Sequence, residues 1–225
     1  MIVTPDVLKP HLPDIIQLIS DELGEGYTTK HEIRKAVEYG NDRFLVVAFP
    51  DLDNDPPCQV VMSPPPSAGQ GTGKTSLPDG VHNVPVAVGI GCVFDSASLA
   101  SHMNFSPDEY PPSLAQSSPV GILRGLCIHD DASGNGIMEA TIKTTVTQLE
   151  DEGCRVQCFL AWRGSGGVQF YDIFKDNDFK VRREFADYWI EESIDKGYKC
   201  PECGPPPCNC SALLFVRVGR SRFGL

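Results

Sequence analysis

The sequence has no run of about 18 consecutive apolar residues, the length a helix needs to cross a bilayer, so no transmembrane helix is expected. Its first residues, Met-Ile-Val-Thr-Pro-Asp, lack the basic segment and apolar stretch of a secretory signal. A cytoplasmic location is therefore the expectation. Positive charge is scarce: 19 Lys and Arg stand against 30 Asp and Glu, a net charge of −11. That balance argues against a nucleic acid or an anionic membrane as partner and mildly favours a cationic small molecule or protein group. Nine cysteines are present, an odd number. In a chain without a signal they do not read as a disulfide framework. Cys58, Cys92, Cys127, Cys154 and Cys158 are scattered; three of them, Cys92, Cys127 and Cys158, fall in expected strands, where buried free thiols behave as small hydrophobes, while the other four cysteines crowd into residues 200–210.

What is present is an ordinary globular composition, 41% apolar over 225 residues. That is enough for one domain with an insertion. The insertion is expected at residues 50–83, where Pro56-Pro57, Pro64-Pro65-Pro66 and a Gly/Ser/Thr-rich stretch cannot bury a core. Within it, Ala68-Gly-Gln-Gly-Thr-Gly-Lys74-Thr75 imitates a phosphate-binding P-loop. A P-loop needs a buried strand before it and a helix after it. Here Ser63-Pro-Pro-Pro precedes and Ser76-Leu-Pro-Asp-Gly follows, so the match is rejected.

The stretch with real phosphate-binding character is Val120 to Met138. Val120 to Ile128 reads as a buried strand. Gly134 and Gly136 permit a tight turn and close approach by a ligand. From Ile137 on, Met138, Ile142, Val146 and Leu149 recur at helical spacing. A strand feeding a helix through a glycine turn aims free N–H groups and the positive end of the helix dipole at one spot. Around this unit the patterns predict helices at 11–23 and from Lys30 to about Tyr39, the second opened by the capping box Thr29-Lys-His-Glu32. Strands are expected at Arg43–Phe49, Pro85–Phe94, Arg155–Trp162, Lys180–Ile190 and Ser211–Val218. Val168–Lys175 reads as a short helix or extended segment, residues 95–118 as irregular, and the tail after Gly219 as frayed.

This order, with the turn Asp131-Ala-Ser-Gly-Asn-Gly136, resembles the GNAT N-acetyltransferase superfamily and its Q/R-x-x-G-x-G/A motif. Both glycines match. Asp131 and Ser133 stand where the motif commonly has Gln/Arg and Arg. Ile128-His-Asp-Asp-Ala-Ser-Gly-Asn-Gly-Ile also resembles the family's V-x-P-x-x-R-G-x-G-I, Asp178-Phe179 its Gly-Phe, and Asp187-Tyr-Trp189 the end of its next strand. The resemblance covers about residues 11–49 and 84–218. It implies an α/β (α+β) fold with a mixed, mostly antiparallel central sheet, one parallel strand–helix–strand unit, flanking helices and a first strand that the few residues before Pro10 would have to form.

The resemblance further implies acetyl-CoA or another acyl-CoA as cosubstrate and an amine as acceptor. Backbone N–H groups of Ser133, Gly134, Asn135, Gly136, Ile137 and Met138 would hold the pyrophosphate. The strand edge at Leu126, Cys127 and Ile128 would pair with the pantetheine arm. Tyr171 is the candidate acid for the leaving thiolate, although the family's Y-x-x-x-G-F spacing lands on Phe174. No Glu occupies the strand at 120–128, leaving Glu184 and Glu25 as bases without strong support; Asp130 and Asp131 face repulsion from pyrophosphate. The alternative is a non-catalytic acyl-CoA-binding or zinc-stapled interaction module of the same fold.

Finally, Cys200-Pro-Glu-Cys203-Gly-Pro-Pro-Pro-Cys208-Asn-Cys210 offers four thiolates within eleven residues. This spacing can close around one tetrahedral Zn²⁺, with disulfides or free thiols as the other readings. Zinc here would be structural, since four Cys ligands leave no open position, and would staple the last hairpin.

Overall fold

The computed structural model describes residues 1–38, 43–51, 58–63, 74, 76–77, 84–103 and 105–219. The P-loop look-alike lies outside them apart from Lys74, as does the tail after Gly219. The chain opens with a single turn, α1 (Pro5–Leu8), and then α2 (Leu12–Leu23). Pro13 sits in the first turn of α2, where its missing N–H costs nothing. Leu12, Ile15, Leu18 and Ile19 are its buried face, and Gly24 (φ 107°) ends it. Helix α3 (Lys30–Val37) carries the expected capping box: the Glu32 N–H donates to Thr29 Oγ1 at 3.2 Å and the Thr29 N–H to Glu32 Oε2 at 2.8 Å.

Strands β1 (Arg43–Pro50), β2 (Cys58–Met62), β3 (Ala87–Phe94), β4 (Val120–Ile128), β5 (Val156–Gly164), β6 (Gly167–Val168), β7 (Lys180–Phe185) and β8 (Ser211–Val218) form one sheet. Its order is β2-β1-β3-β4-β5-β8-β7, with β6 paired to β5. Only β4 and β5 are parallel, joined by α6 (Ile137–Asp151). This is the expected mixed sheet with one parallel crossover.

Four expectations are corrected. Residues 50–83 are not one connection: Cys58–Met62 pairs antiparallel with β1 and buries Val61 and Met62. Five residues amid prolines, Cys58-Gln-Val-Val-Met62, were too short a signal to read as a strand. Residues 95–118 hold α4 (Ser96–His102), capped by the Asp95 carboxylate on the Ser98 N–H, and α5 (Pro112–Ala115). The strand expected over 180–190 stops at Phe185. Asp187 takes a left-handed conformation (φ 54°), so the Asp-Tyr-Trp segment is a turn, and α8 (Ile190–Lys196) follows. No strand precedes Pro10; Ile2 and Val3 make only isolated parallel bridges, to Met62 and Lys74.

Helix α6 packs on one face of the sheet with α7 (Tyr171–Asp176), burying Leu123, Leu126, Ile142, Phe174 and Phe215. The other face is covered in two patches. Helices α2 and α3 lie over β1, β3 and Cys127 of β4. Farther along, α4 and α5 bury Val120, Ile122, Val156 and Cys158, and the segment from Tyr188 to Cys208 adds a small aromatic cluster. Burial pushes the thiols of Cys154 and Cys158 up to about 12, so both stay neutral and pack as hydrophobes.

Candidate active site

The site begins where the sheet splits. β4 and β5 are paired from Val120↔Val156 to Leu123↔Phe159, and among the described residues no ladder pair joins them beyond. Both strands continue, β4 along β3 to Ile128 and β5 along β8 to Arg163. Two devices hold the strands apart. The β3–β4 register shifts between Val88 and Ile90, which is a bulge, and bulges re-aim a strand. Opposite it, Gly125 takes φ 56°, and a Cβ there would press Ile90 Cδ1 at 3.2 Å. The edge of β4 facing the gap is the stretch Leu126, Cys127 and Ile128 chosen from the sequence.

On the α6 side of the gap lies the glycine turn. His129 leads into a single 3₁₀ turn, Asp130–Ala132, and then Ser133 to Gly136 run exposed to the helix. Gly134 (φ 82°) and Gly136 (φ 74°) both adopt left-handed backbone, the conformation glycine permits at least cost. Space around Gly134 is open, so conformation alone favours glycine there. Gly136 caps α6, and the first-turn N–H groups of Ile137, Met138 and Glu139 have no intrahelical acceptor. All six residues selected from the sequence, Ser133 to Met138, are thus in this one turn. Acid surrounds it: Asp131 is almost fully exposed, 3.8 Å from His129, and burial together with Asp130 raises the Glu22 carboxyl.

The opposite side of the gap is a cleft of about 400 Å³. Two smaller clefts of about 60 and 30 Å³ adjoin it, and all three share Tyr27 and Gly125. Tyr27 comes from the α2–α3 loop, Arg124 from β4, Tyr188 and Trp189 from the turn after β7, and Glu191, Glu192, Asp195 and Lys196 from α8. Glu192 meets Lys196 at 2.8 Å and Arg124 at 4.0 Å. Burial works against the Arg124 charge, but Tyr27, Cys92, Glu192 and Glu32 outweigh it and keep the guanidinium protonated. Burial raises the Tyr27 hydroxyl, despite Arg124 nearby, and raises the Tyr198 hydroxyl as well. Both phenols are therefore neutral donors at physiological pH.

None of these cleft residues was singled out from the sequence. The turn at Asp187 hid Tyr188 and Trp189 within an expected strand, and the acids and Lys196 of α8 lie past its end, where no element was expected. The pairing of Glu192 with Lys196 four residues on was the one available local signal. The bases considered from the sequence lie elsewhere: Glu184 makes a bidentate pair with Arg163 (2.7 Å to each oxygen), and Glu25 pairs with Lys199 at 2.7 Å. Tyr171 begins α7, 44% exposed, with its ring against Phe215 at 5.6 Å. It lies on the α6 side of the sheet and does not line the three clefts. Phe174, at the spacing where the resemblance has tyrosine, is fully buried and stacked on Phe159 at 4.5 Å.

No family model and no curated protein matches the sequence. Solved structures do match. NAA60 of Arabidopsis thaliana, in complex with a bisubstrate analogue, covers 98% of this chain and 97% of its own at 12% identity, with a TM-score of 0.57. The ribosomal-protein-S18-alanine N-acetyltransferase of Escherichia coli covers 96% and 94% at 9% identity, TM-score 0.51. An agmatine N-acetyltransferase covers 93% and 95% at 10% identity, TM-score 0.51. The fold is that of the GNAT N-acetyltransferases. The NAA60 structure has also been solved with acetyl-CoA.

Four cysteines cluster between α8 and β8. The sulfurs of Cys200, Cys203, Cys208 and Cys210 all lie within 4.8 Å of one another. Cys203 and Cys210 are 3.4 Å apart and Cys200 and Cys210 4.0 Å. A tetrahedral zinc with Zn–S of about 2.3 Å would place sulfurs about 3.8 Å apart. The Cys203 N–H points at Cys200 Sγ at 3.4 Å, the kind of bond that orients a ligating thiolate. The four thiols therefore fit a structural Zn²⁺, and they sit at the wall of the second cleft, which Cys200 and Cys208 line.

Proposed function

We propose that the protein is an acyl-CoA-dependent N-acyltransferase that moves an acetyl group directly from acetyl-CoA to an amine. The observation that carries this reading is the split between β4 and β5, with a cradle of free N–H groups on one side and a 400 Å³ cleft on the other. The turn from Ser133 to Met138 binds the pyrophosphate through main-chain N–H groups and the α6 dipole. The edge Leu126 to Ile128 takes the pantetheine arm as a further strand would be taken, which places the thioester at Gly125. The acceptor enters through the cleft. Its nitrogen attacks the thioester carbon and the C–S bond breaks as the C–N bond forms. The amine's proton leaves to water within reach of Glu192 and Tyr27. Main-chain N–H groups of β4 polarise the thioester oxygen.

The leaving thiolate needs a proton on the α6 side. Among the described residues Tyr171 is the one tyrosine packed on that face, its ring against Phe215 of the α6-side core, and it is the acid in this reading. Cys200, Cys203, Cys208 and Cys210 would hold a zinc ion, which would have a structural role and no open position for chemistry. Phe174 in place of the family's phenol favours the alternative of a non-catalytic acyl-CoA-binding module. One assay separates them: release of free thiol from acetyl-CoA over a panel of amines that includes polyamines, amino acids and peptides with free N-termini. Turnover above the hydrolysis background with any amine supports transfer. Acetyl-CoA binding by calorimetry with no turnover across the panel supports the binding module.

A further inference from the structure

The cysteine knuckle makes three separate contacts with the elements that carry the cleft. First, it rests on the α2–α3 loop. The Lys199 N–H donates to the Glu25 carbonyl at 2.9 Å. Gly24 lies so close beneath that a Cβ would collide with the Lys199 carbonyl oxygen, and a Cβ on Gly26 would press on Tyr198 Cα at 3.3 Å. Tyr198 in turn meets the Tyr27 ring edge to face at 5.9 Å. Second, it is tied to α8. The Cys208 N–H donates to Ser193 Oγ at 2.9 Å, and that hydroxyl donates to the Ile190 carbonyl at 2.8 Å. Third, Glu202 covers Gly164 at the end of β5 and accepts from Ser165 Oγ at 3.1 Å.

The first contact joins segments 174 residues apart in the chain, and the other two span 15 and 37 residues. They are also poor in apolar area: residues 199–210 bury two cysteines and little else. A proline-rich loop of this composition cannot hold its own shape by a core. A metal can, because ligand binding free energy becomes folding free energy of the loop.

We infer that the knuckle's metal is the clamp that fixes the acceptor side of the site, holding Tyr27 through Tyr198 and holding α8, with Glu192 and Lys196, through Ser193. Metal occupancy then sets acceptor recognition, while the glycine turn binds acyl-CoA independently of it. This role for the knuckle rests on the reading of the cleft as the acceptor site, and its test does not require turnover. The chain has two tryptophans, and both Trp162 and Trp189 line the cleft wall beside Cys200 and Cys208, so intrinsic fluorescence reports on the clamp directly.

The test compares zinc-loaded protein with the same protein after chelation, by metal analysis, tryptophan emission and amide hydrogen exchange. One zinc per chain is expected. Its removal should shift tryptophan emission to longer wavelength and speed exchange at least tenfold in 24–28 and 190–196. Exchange in β4 and α6 should stay within threefold, as should the acetyl-CoA dissociation constant from calorimetry. Ser193→Ala, which keeps all four ligands, should retain the zinc and still speed exchange in 190–196. Loss of zinc with faster exchange only in 199–210 would overturn the inference, as would equal loss of protection across the whole sheet or protein purified with no metal. If acetyl-CoA fails to bind the zinc-loaded protein, the acyltransferase reading fails, and the exchange result still decides whether the metal holds the cleft.

Discussion

The two sides of the β4–β5 gap are built in opposite ways. The α6 side is made of backbone: a turn of consecutive residues, two glycines with left-handed conformation and the unpaired N–H groups of a helix start. The cleft side is made of side chains: Tyr27, Arg124, Trp189, Glu192 and Lys196, delivered by four elements. A backbone site accepts any ligand with the right phosphate geometry and depends little on its neighbours. A side-chain site is specific, and it exists only while its separate segments are held together. In the proposed reading the first takes the common cosubstrate and the second a particular acceptor.

Substitutions can break this division. The largest effect is expected for Gly136→Val, which puts a β-branched residue at φ 74° on the helix cap. Acetyl-CoA affinity should fall at least 100-fold in calorimetry, and unchanged affinity would remove the turn from the site. Next, Tyr171→Phe should lower kcat about 100-fold with the acetyl-CoA dissociation constant unchanged, the usual scale for a general acid; turnover within twofold of the parent would dismiss Tyr171 as the acid. Arg124→Met should leave acetyl-CoA binding intact and raise the acceptor KM about tenfold, because it removes a cation from Glu192 and Tyr27. A matching loss on the acetyl-CoA side would show that the two sides are not independent.

The smallest effect belongs to the support of the cleft. Thr29→Ala removes the α3 cap and should cost about 1 kcal/mol in urea unfolding at neutral pH. Burial would raise the Glu32 carboxyl, but the Thr29 N–H and hydroxyl, with Lys196 and Arg124, hold it below its usual value. A depressed carboxyl contributes stability above its unfolded pKa of about 4.3 and loses it as pH falls through the folded value. The difference between parent and Thr29→Ala should therefore shrink on acidification below about pH 4.

Much of the frame was legible. The β4–turn–α6 unit, the capping box at Thr29 and the bounds of β8 all follow from local pattern: apolar runs, glycine placement and cap residues. The irregular stretches were harder. β2 is five residues between prolines, and α8 is seven residues directly after an aromatic turn. Each is too short for periodicity to distinguish helix from strand. Glu184 and Glu25 looked usable as bases because sequence shows charge without partners. In the fold Arg163 and Lys199 hold them on the surface.

By itself the sequence determined what depends on neighbours in the chain: which segments bury one face, where glycine frees a turn, and that four thiols stand close enough to share a metal. Only the tertiary structure decided where β4 and β5 part, that Tyr27 and α8 face each other across the opening, and that the cysteine knuckle rests on both. Those are relations between separate elements, up to 174 residues apart in the chain. They are selected by sheet order and packing of the whole domain, and a local pattern carries no record of them.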